Sequence, residues 1–148
     1  MSKKIQGKIL AVCQSKEKGT VKKNIDSGVF IKNYGLENDA HSGKWHRQVS
    51  LLGIESINKM RRADYEIGFG DFAENLTTID IILHKLVPGT KLSIGKNVLL
   101  EITQIGKKCH HDCEIKKKIG ECVMPKEGIF TRVLRGGMVQ TGDIIEVI

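Results

Sequence analysis

Short stretches in which apolar and polar residues alternate run through most of the chain, and this pattern indicates strands with one buried face. The stretches predicted as strands are residues 5–13, 20–25, 29–31, 48–52, 79–83, 91–94, 98–105 and 143–148. Turn-forming residues separate many of them at intervals of about eight to twelve residues, a spacing typical of barrels and sandwiches. A hairpin turn is expected at 95–97. The pattern therefore predicts a mainly β fold.

One stretch has helical spacing instead. Its apolar residues are Ile54, Ile57 and Met60, with charged residues between them, which predicts a short amphipathic helix over 54–63 that packs on the barrel. No internal repeat or linker interrupts the pattern. At 148 residues the chain is long enough to bury about two thirds of its unfolded surface, so residues 1–148 are predicted to form one domain.

The composition is that of an ordinary globular protein, with 40% hydrophobic and 28% charged residues, which argues against disorder. No apolar run approaches the roughly 20 residues that cross a bilayer, and the first residues lack the apolar stretch of a secretory signal. We therefore expect a cytoplasmic protein without a membrane partner. In a reducing compartment, four cysteines favour a redox, catalytic or metal-binding role over a disulfide framework.

A formal net charge of +7 raises the question of an anionic partner. The lysines occur in small clusters, which suit nucleic acid, but the few aromatic residues are not interleaved with them as a base-stacking surface requires. The pattern therefore argues against nucleic acid as the partner. A small phosphorylated ligand suits the charge equally well, and so does the simple need for solubility.

Candidate chemistry is concentrated near Cys109, since Cys113 and Cys122 follow it and only Cys13 lies elsewhere. Two lysines, Lys107 and Lys108, directly precede Cys109, and neighbouring positive charge favours the reactive thiolate. Cys109 is therefore predicted to be the nucleophile or a soft-metal ligand. The alternative is a cysteine that packs as a small apolar residue at the end of a strand.

Zinc is a second interpretation of the same stretch. Its ligands would be Cys109, Cys113 and Cys122 with His110 or His111, and the spacing of the first two cysteines lies at the upper edge of that in zinc sites. A second closely spaced pair is missing. A dithiol couple is less favoured because no Cys-x-x-Cys motif is present.

A further concentration of reactive side chains lies in 35–48. This stretch has little apolar periodicity and contains Asp39, His41, His46 and Arg47. Loops that carry such side chains on a rigid scaffold are common places for sites. Each residue has an ordinary alternative, since an aspartate caps turns and most histidines are surface residues.

Four segments in this order resemble the MOSC family, the domain named after the C-terminal part of molybdenum cofactor sulfurases. They are residues 35–50, Phe72-Ala73-Glu74-Asn75-Leu76-Thr77, Cys109 after the strand that ends at Ile105, and residues 128–143. Each motif is weak by itself, but four in the family's order are specific. The chain departs from the common pattern at Asn38 and Ala73, where glycine is usual, and at Lys108, where proline is frequent.

The resemblance implies a MOSC-type β-barrel with a few short helices and a site for the molybdenum cofactor, molybdopterin. It also implies that Cys109 carries a persulfide or ligates molybdenum. Molybdopterin carries a dithiolene and a phosphate, so its site needs a soft or sulfur-bearing group beside cationic donors. The residues expected to bind it are His41, Arg47, Asn75, Lys107, Lys108 and Arg132.

The function expected from the resemblance is cofactor binding or sulfur transfer in cofactor biosynthesis or sulfuration, with a separate protein as sulfur donor. One alternative is a molybdenum-dependent reductase of N-hydroxylated compounds, which would need an electron-donor protein because no Gly-x-Gly-x-x-Gly fingerprint is present. Another is a non-enzymatic module, either zinc-stabilised or bound to nucleic acid. Whether the chain is an enzyme is left open by the sequence.

Overall fold

The computed structural model describes residues 4–18, 20–60, 67–107 and 123–148. The strands are β1 (Gln6–Gln14), β2 (Lys23–Asn24), β3 (Ser27–Ile31), β4 (Gly35–Leu36), β5 (Val49–Gly53), β6 (Leu76–Ile79), β7 (Lys91–Ile94), β8 (Val98–Ile105), β9 (Ile129–Arg135), β10 (Gly137–Gln140) and β11 (Ile144–Val147). Two short helices, α1 (Ile54–Asn58) and α2 (Met124–Glu127), and a 3-10 turn (Leu83–Lys85) complete the described elements.

The described strands form a closed barrel. Seven of them pair in the order β11-β7-β8-β9-β5-β6-β1, and β1 pairs with β11 to close the ring. The β5–β6 pairing is parallel and the others are antiparallel. Strand β2 extends one end of β1, and β10, β3 and β4 form a small separate sheet. The prediction of a mainly β barrel with short helices is therefore confirmed.

Two clusters of apolar side chains hold the barrel together. The larger one includes Ile9, Leu51, Leu100 and Val133, which are completely or almost completely buried. The smaller one lies under α1, where Ile57 is buried and Ile54 and Met60 are partly buried; the other buried members are Leu52, Ile67, Phe72, Val123, Met124 and Phe130. The predicted helical stripe is thus core packing, although α1 ends at Asn58 and residues 61–63 lie outside the described part.

The strand predicted at 79–83 is wrong. Strand β6 ends at Ile79, because Asp80 adopts a left-handed backbone with φ of 69° and the chain then enters the 3-10 turn. The strand lies earlier, where Thr77 and Thr78 are both buried between β5 and β1. Threonine is a common strand residue, so Thr77-Thr78 was a strand signal that the predicted boundary left out.

The strand predicted at 20–25 is reduced to Lys23–Asn24. Lys22, directly before it, is buried with a polar side chain that needs partners inside the protein.

Among the described residues, no helix is long and apolar enough to cross a membrane.

Candidate functional site

The loop between β4 and β5 carries the reactive side chains that the sequence brought together. Its backbone is fixed near the middle, since Ala40 N–H donates to Ser15 O at 2.8 Å and Gly43 N–H donates to Tyr34 O at 2.7 Å. The buried Gln48 side chain then accepts from Val133 N–H at 2.9 Å. The loop is therefore attached to β1, to the small sheet and to β9, and its side chains have defined positions.

At the base of this loop Lys22 and Asp39 form an ion pair with completely buried side chains. The Lys22 Nζ donates to Asp39 Oδ1 at 2.8 Å and to Ser15 Oγ at 3.1 Å, and lies 3.0 Å from His41 Nδ1. Asp39 also accepts from the backbone N–H groups of Ser15 and His41, both at 3.1 Å. A buried charge pair is tolerated only when such additional hydrogen bonds complete its shell.

The ionisation of this cluster follows from burial and charge. Burial raises the pKa of Asp39, but attraction to Lys22 and hydrogen bonds from Lys22, Asn75 and Ser15 outweigh it, so the net shift is downward. Burial lowers the pKa of Lys22, and attraction to Asp39 opposes that shift. Burial and then the positive charge of Lys22 lower the pKa of His41 from 6.5 to about 4. His41 is consequently a neutral imidazole at neutral pH.

Asn75 lies directly beneath this cluster and is completely buried. Its Oδ1 accepts from Ser50 N–H at 2.9 Å, and its Nδ2 donates to Cys13 O at 3.1 Å. Both ends of the amide are therefore used to join β1, β5 and the start of β6. The structure places Asn75 as an internal support that also donates to Asp39, and its predicted contact with the cofactor stays a prediction.

The neighbouring Glu74 is also fully buried. It accepts hydrogen bonds from Gly70 N–H at 3.1 Å, from Phe72 N–H at 3.2 Å and from Thr77 Oγ1 at 2.7 Å. Burial raises the pKa of Glu74 from 4.5 to about 7, although these hydrogen bonds favour the charged form. Gly70 has a φ of +85°, and a Cβ there would lie 2.1 Å from the Lys22 carbonyl oxygen, so glycine is required beside Lys22.

A cationic and aromatic surface lies next to His41. The Trp45 indole N–H donates to His41 O at 2.7 Å, and the Arg47 guanidinium carbon lies 4.6 Å from the Trp45 ring centroid and 5.6 Å from that of Phe130. Arg47 Nε is buried and has no hydrogen-bond partner in the part of the chain that the structure describes. A buried N–H without a partner is costly. Arg47 as a whole is partly exposed, so its charge is not fully enclosed and can attract an anionic ligand.

Lys107 extends the same surface. Its Nζ lies 5.9 Å from the Phe130 ring centroid, and its backbone N–H donates to Pro125 O at 3.1 Å. Gly106 has a φ of +69°, and a Cβ there would lie 2.3 Å from Pro125 O, so only glycine lets β8 end against α2 in this way. This contact fixes the position of Lys107, the last described residue before Cys109.

The model of the MOSC domain family matches residues 38–146, a segment that contains both the loop and the strands around it. The chain belongs to the MOSC domain family. The match confirms the resemblance that the four sequence segments suggested. Comparison with curated proteins found no match.

Solved structures show the same fold. The YuaD protein from Bacillus subtilis aligns with a TM-score of 0.80 at 21% identity, covering 99% of this chain and 98% of that chain. YiiM from Escherichia coli aligns with a TM-score of 0.68 at 17% identity, covering 97% of this chain and 69% of that chain. YiiM from Geobacillus stearothermophilus aligns with a TM-score of 0.65 at 16% identity, covering 97% of this chain and 74% of that chain. These similarities extend over nearly the whole MOSC chain.

Arg132 occupies the same face of β9 as Phe130, because side chains two residues apart on a strand point to the same side. Its guanidinium is already paired, with Nε 2.7 Å and Nη2 2.6 Å from Glu101 Oε1. Arg132 is therefore near the aromatic surface along β9, but its charge is partly compensated. Arg47, whose Nε lacks such a partner among the described residues, is the stronger candidate for binding an anion.

Several predicted residues lie outside the described part of the MOSC chain. They are Lys108, Cys109, His110, His111, Cys113 and Cys122. The role of Cys109 and the zinc interpretation therefore stay predictions. Among the described residues, no three His, Cys, Asp or Glu side chains are grouped as a metal site. Cys13 is completely buried, and burial raises the pKa of its thiol well above the ordinary value.

Sequence reasoning missed three residues of this site. Lys22 belongs to a lysine pair that resembles a solvated surface, and no local signal reveals its burial. Trp45 and Phe130 stand inside the quoted MOSC segments without a polar group that marks them for chemistry. The signal that was available is composition: Trp45 is the only tryptophan of the chain and lies two residues from Arg47.

Proposed function

We propose that this MOSC chain binds the molybdenum cofactor, or a precursor of it, at the surface formed by Trp45, Arg47, Lys107 and Phe130, with Cys109 as persulfide carrier or molybdenum ligand. The observation that carries the proposal is the partly exposed Arg47, whose guanidinium lies against the Trp45 and Phe130 rings and whose Nε has no hydrogen-bond partner among the described residues. Membership of the MOSC family supports a function related to this cofactor.

The described residues fit the chemical parts of molybdopterin. Its phosphate needs cationic donors, and Arg47 and Lys107 supply a guanidinium fork and an ammonium group. Its flat ring system suits a surface built from aromatic rings and a planar guanidinium. When bound, the cofactor would supply a molybdenum centre that exchanges oxygen or sulfur ligands.

The chain's own residues have separate tasks in this proposal. Arg47 and Lys107 attract and orient the anionic end of the ligand, and the aromatic rings exclude water from one side of it. Lys107 also adds positive charge two residues before Cys109, which favours the thiolate form of that cysteine. A persulfide-bearing donor protein then passes its outer sulfur atom to the Cys109 thiolate, and the donor's own thiolate leaves.

Intact mass and elemental analysis of protein purified with and without the sulfur donor test the proposal. We expect a mass increase of one sulfur atom or bound molybdenum in the wild type and in Cys13→Ser, and neither in Cys109→Ser. Cys13 is the matched control because its thiol is buried. Equal behaviour of the two variants would contradict the role of Cys109.

The same experiment separates the other functions. Bound molybdenum without sulfur loading, together with reduction of an N-hydroxylated compound when an electron donor is added, would support the reductase. Stoichiometric zinc that disappears in Cys109→Ser would support a zinc-stabilised module. Salt-sensitive binding to generic DNA with neither metal would support nucleic acid.

A further inference from the structure

We propose that Lys22 is a positioning residue that holds His41 as the neutral Nε2–H tautomer, so that His41 donates a hydrogen bond to an oxyanion of the bound ligand. The ligand part of this inference rests on the proposed function, whereas the tautomer does not. The carrying observation is the 3.0 Å contact between Lys22 Nζ and His41 Nδ1 inside a buried ion pair.

A count of donors and acceptors fixes the direction of that contact. A lysine ammonium has three N–H donors and no acceptor. In the part of the chain that the structure describes, Lys22 Nζ has three neighbours at hydrogen-bond distance, Asp39 Oδ1, Ser15 Oγ and His41 Nδ1, so each takes one N–H. His41 Nδ1 must therefore be the acceptor, and the ring proton must reside on Nε2.

Hydrogen bonds also fix the backbone of His41. His41 N–H donates to Asp39 Oδ2 at 3.1 Å, and His41 O accepts from the Trp45 indole. The His41 side chain remains 24% exposed, whereas Lys22 and Asp39 are completely enclosed. The half of the cluster that a ligand can reach is thus the imidazole, and the charged half lies behind it.

The charges around His41 favour the neutral ring. Lys22, Lys107 and Lys18 oppose a further positive charge there, and Asp39 supports it. A neutral Nε2–H beside these lysines can donate to an oxyanion without needing protonation, so its function does not depend on pH near neutrality.

Stability alone is a weak reason for such a buried pair. A buried ion pair often contributes no more than well-packed apolar residues would, because desolvation of both charges offsets their attraction. A positioning role gives Lys22 a function that an apolar side chain could not replace.

The direct test is a long-range proton–nitrogen correlation spectrum of the ¹⁵N-labelled full chain at neutral pH. We expect the His41 signals to show an unprotonated Nδ1 and a protonated Nε2, with assignment from their loss in His41→Asn. A protonated Nδ1, or a mixture of both tautomers in the wild type, would overturn the proposal. This readout needs neither cofactor nor activity, so it stands or fails separately from the proposed function.

Two variants separate positioning from simple packing. In Lys22→Met we expect mixed tautomers and a higher His41 pKa, because the donor to Nδ1 is lost. In Ser15→Ala we expect the wild-type tautomer, because only another acceptor of Lys22 is removed. A wild-type tautomer in folded Lys22→Met would contradict the inference, and if that variant does not fold the wild-type spectrum still decides.

Inorganic phosphate tests the ligand part. Its addition is expected to shift the His41 Nε2–H signal in the wild type, and to do so less in Lys22→Met. If the His41 Nε2–H signal does not shift at high phosphate concentration, the proposal that His41 donates to an oxyanion is refuted, even if the tautomer is as expected.

Discussion

The molecule has two buried regions, an apolar interior and a polar interior, that are stabilised by different interactions. Inside the barrel, apolar side chains such as Leu100 and Val133 pack without directional bonds. Beneath the 37–48 loop, Lys22, Asp39 and Asn75 are equally buried, but each depends on particular partners at hydrogen-bond distance. The barrel should therefore tolerate changes that conserve volume, whereas the polar interior should tolerate few changes of any kind.

Lys22→Met is expected to have the largest effect and to sharpen this contrast. Removal of the ammonium leaves the Asp39 carboxylate buried without its counter-charge, which costs about 3–5 kcal/mol of the free energy of unfolding. Urea denaturation measures the loss. Addition of Asp39→Asn to the same chain should recover part of it, and a non-additive double-mutant cycle is the expected result. Unchanged stability in Lys22→Met would show that the pair is not buried as described.

Leu100→Ala is expected to cost about 3 kcal/mol, from lost burial and the remaining cavity. Leu100→Met, which nearly conserves volume, should cost less than about 1.5 kcal/mol. The same denaturation experiment measures both. If Leu100→Met is as unstable as Leu100→Ala, the barrel core does not tolerate even a substitution that conserves volume. The contrast with the polar interior would then be wrong.

The pH dependence of stability tests the neutral state of His41. Its folded pKa of about 4 lies below the unfolded value of 6.5, so the unfolded chain binds more protons between these values. The contribution of His41 to stability should therefore rise with pH across that window, by up to about 3 kcal/mol, whereas that of Glu74, whose pKa is raised to about 7, should fall. His41→Asn is the matched control, since its side chain can accept from Lys22 but does not titrate. If the stability of the wild type and of His41→Asn changes with pH in the same way, the lowered pKa of His41 is contradicted.

Ala73→Gly should produce the smallest change, in the stabilising direction. Ala73 has a φ of 64°, a left-handed conformation that a Cβ disfavours. Glycine at this position should therefore raise the free energy of unfolding by about 0.5–1 kcal/mol. Asn38, with a φ of 66°, is a residue type that tolerates this conformation, and Asn38→Gly should change stability less. Thermal unfolding compares the two, and equal effects would count against backbone strain at Ala73.

The sequence predicted the apolar part of the fold well. The hairpin of β7 and β8 has the predicted bounds, and the stripe of Ile54, Ile57 and Met60 packs as expected, because periodicity reports directly on which face is buried. The four MOSC segments also identified the family. These features are local, or are carried by motifs in a fixed order.

The polar interior was less accessible to sequence reasoning. Burial of Lys22 depends on Asp39 and His41, which lie far along the chain, and no periodicity connects them. Asn75 was recognised as part of a motif, but its role as an internal support follows only from its contacts with Ser50 and Cys13. Long-range polar pairing leaves no periodic pattern in the sequence, so it appears only once the fold is known.

The most direct test of the central claim is titration of the chain with purified molybdenum cofactor while the fluorescence of Trp45, its only tryptophan, is followed. We predict saturable quenching in the wild type and at least about tenfold weaker binding in Arg47→Met, since a charge-assisted hydrogen bond contributes about 1.5–3 kcal/mol. Arg135→Met is the control, because that arginine lies near the far end of β9 and donates to Asn97 O. Equal affinities for all three proteins, or no quenching in the wild type, would contradict the account.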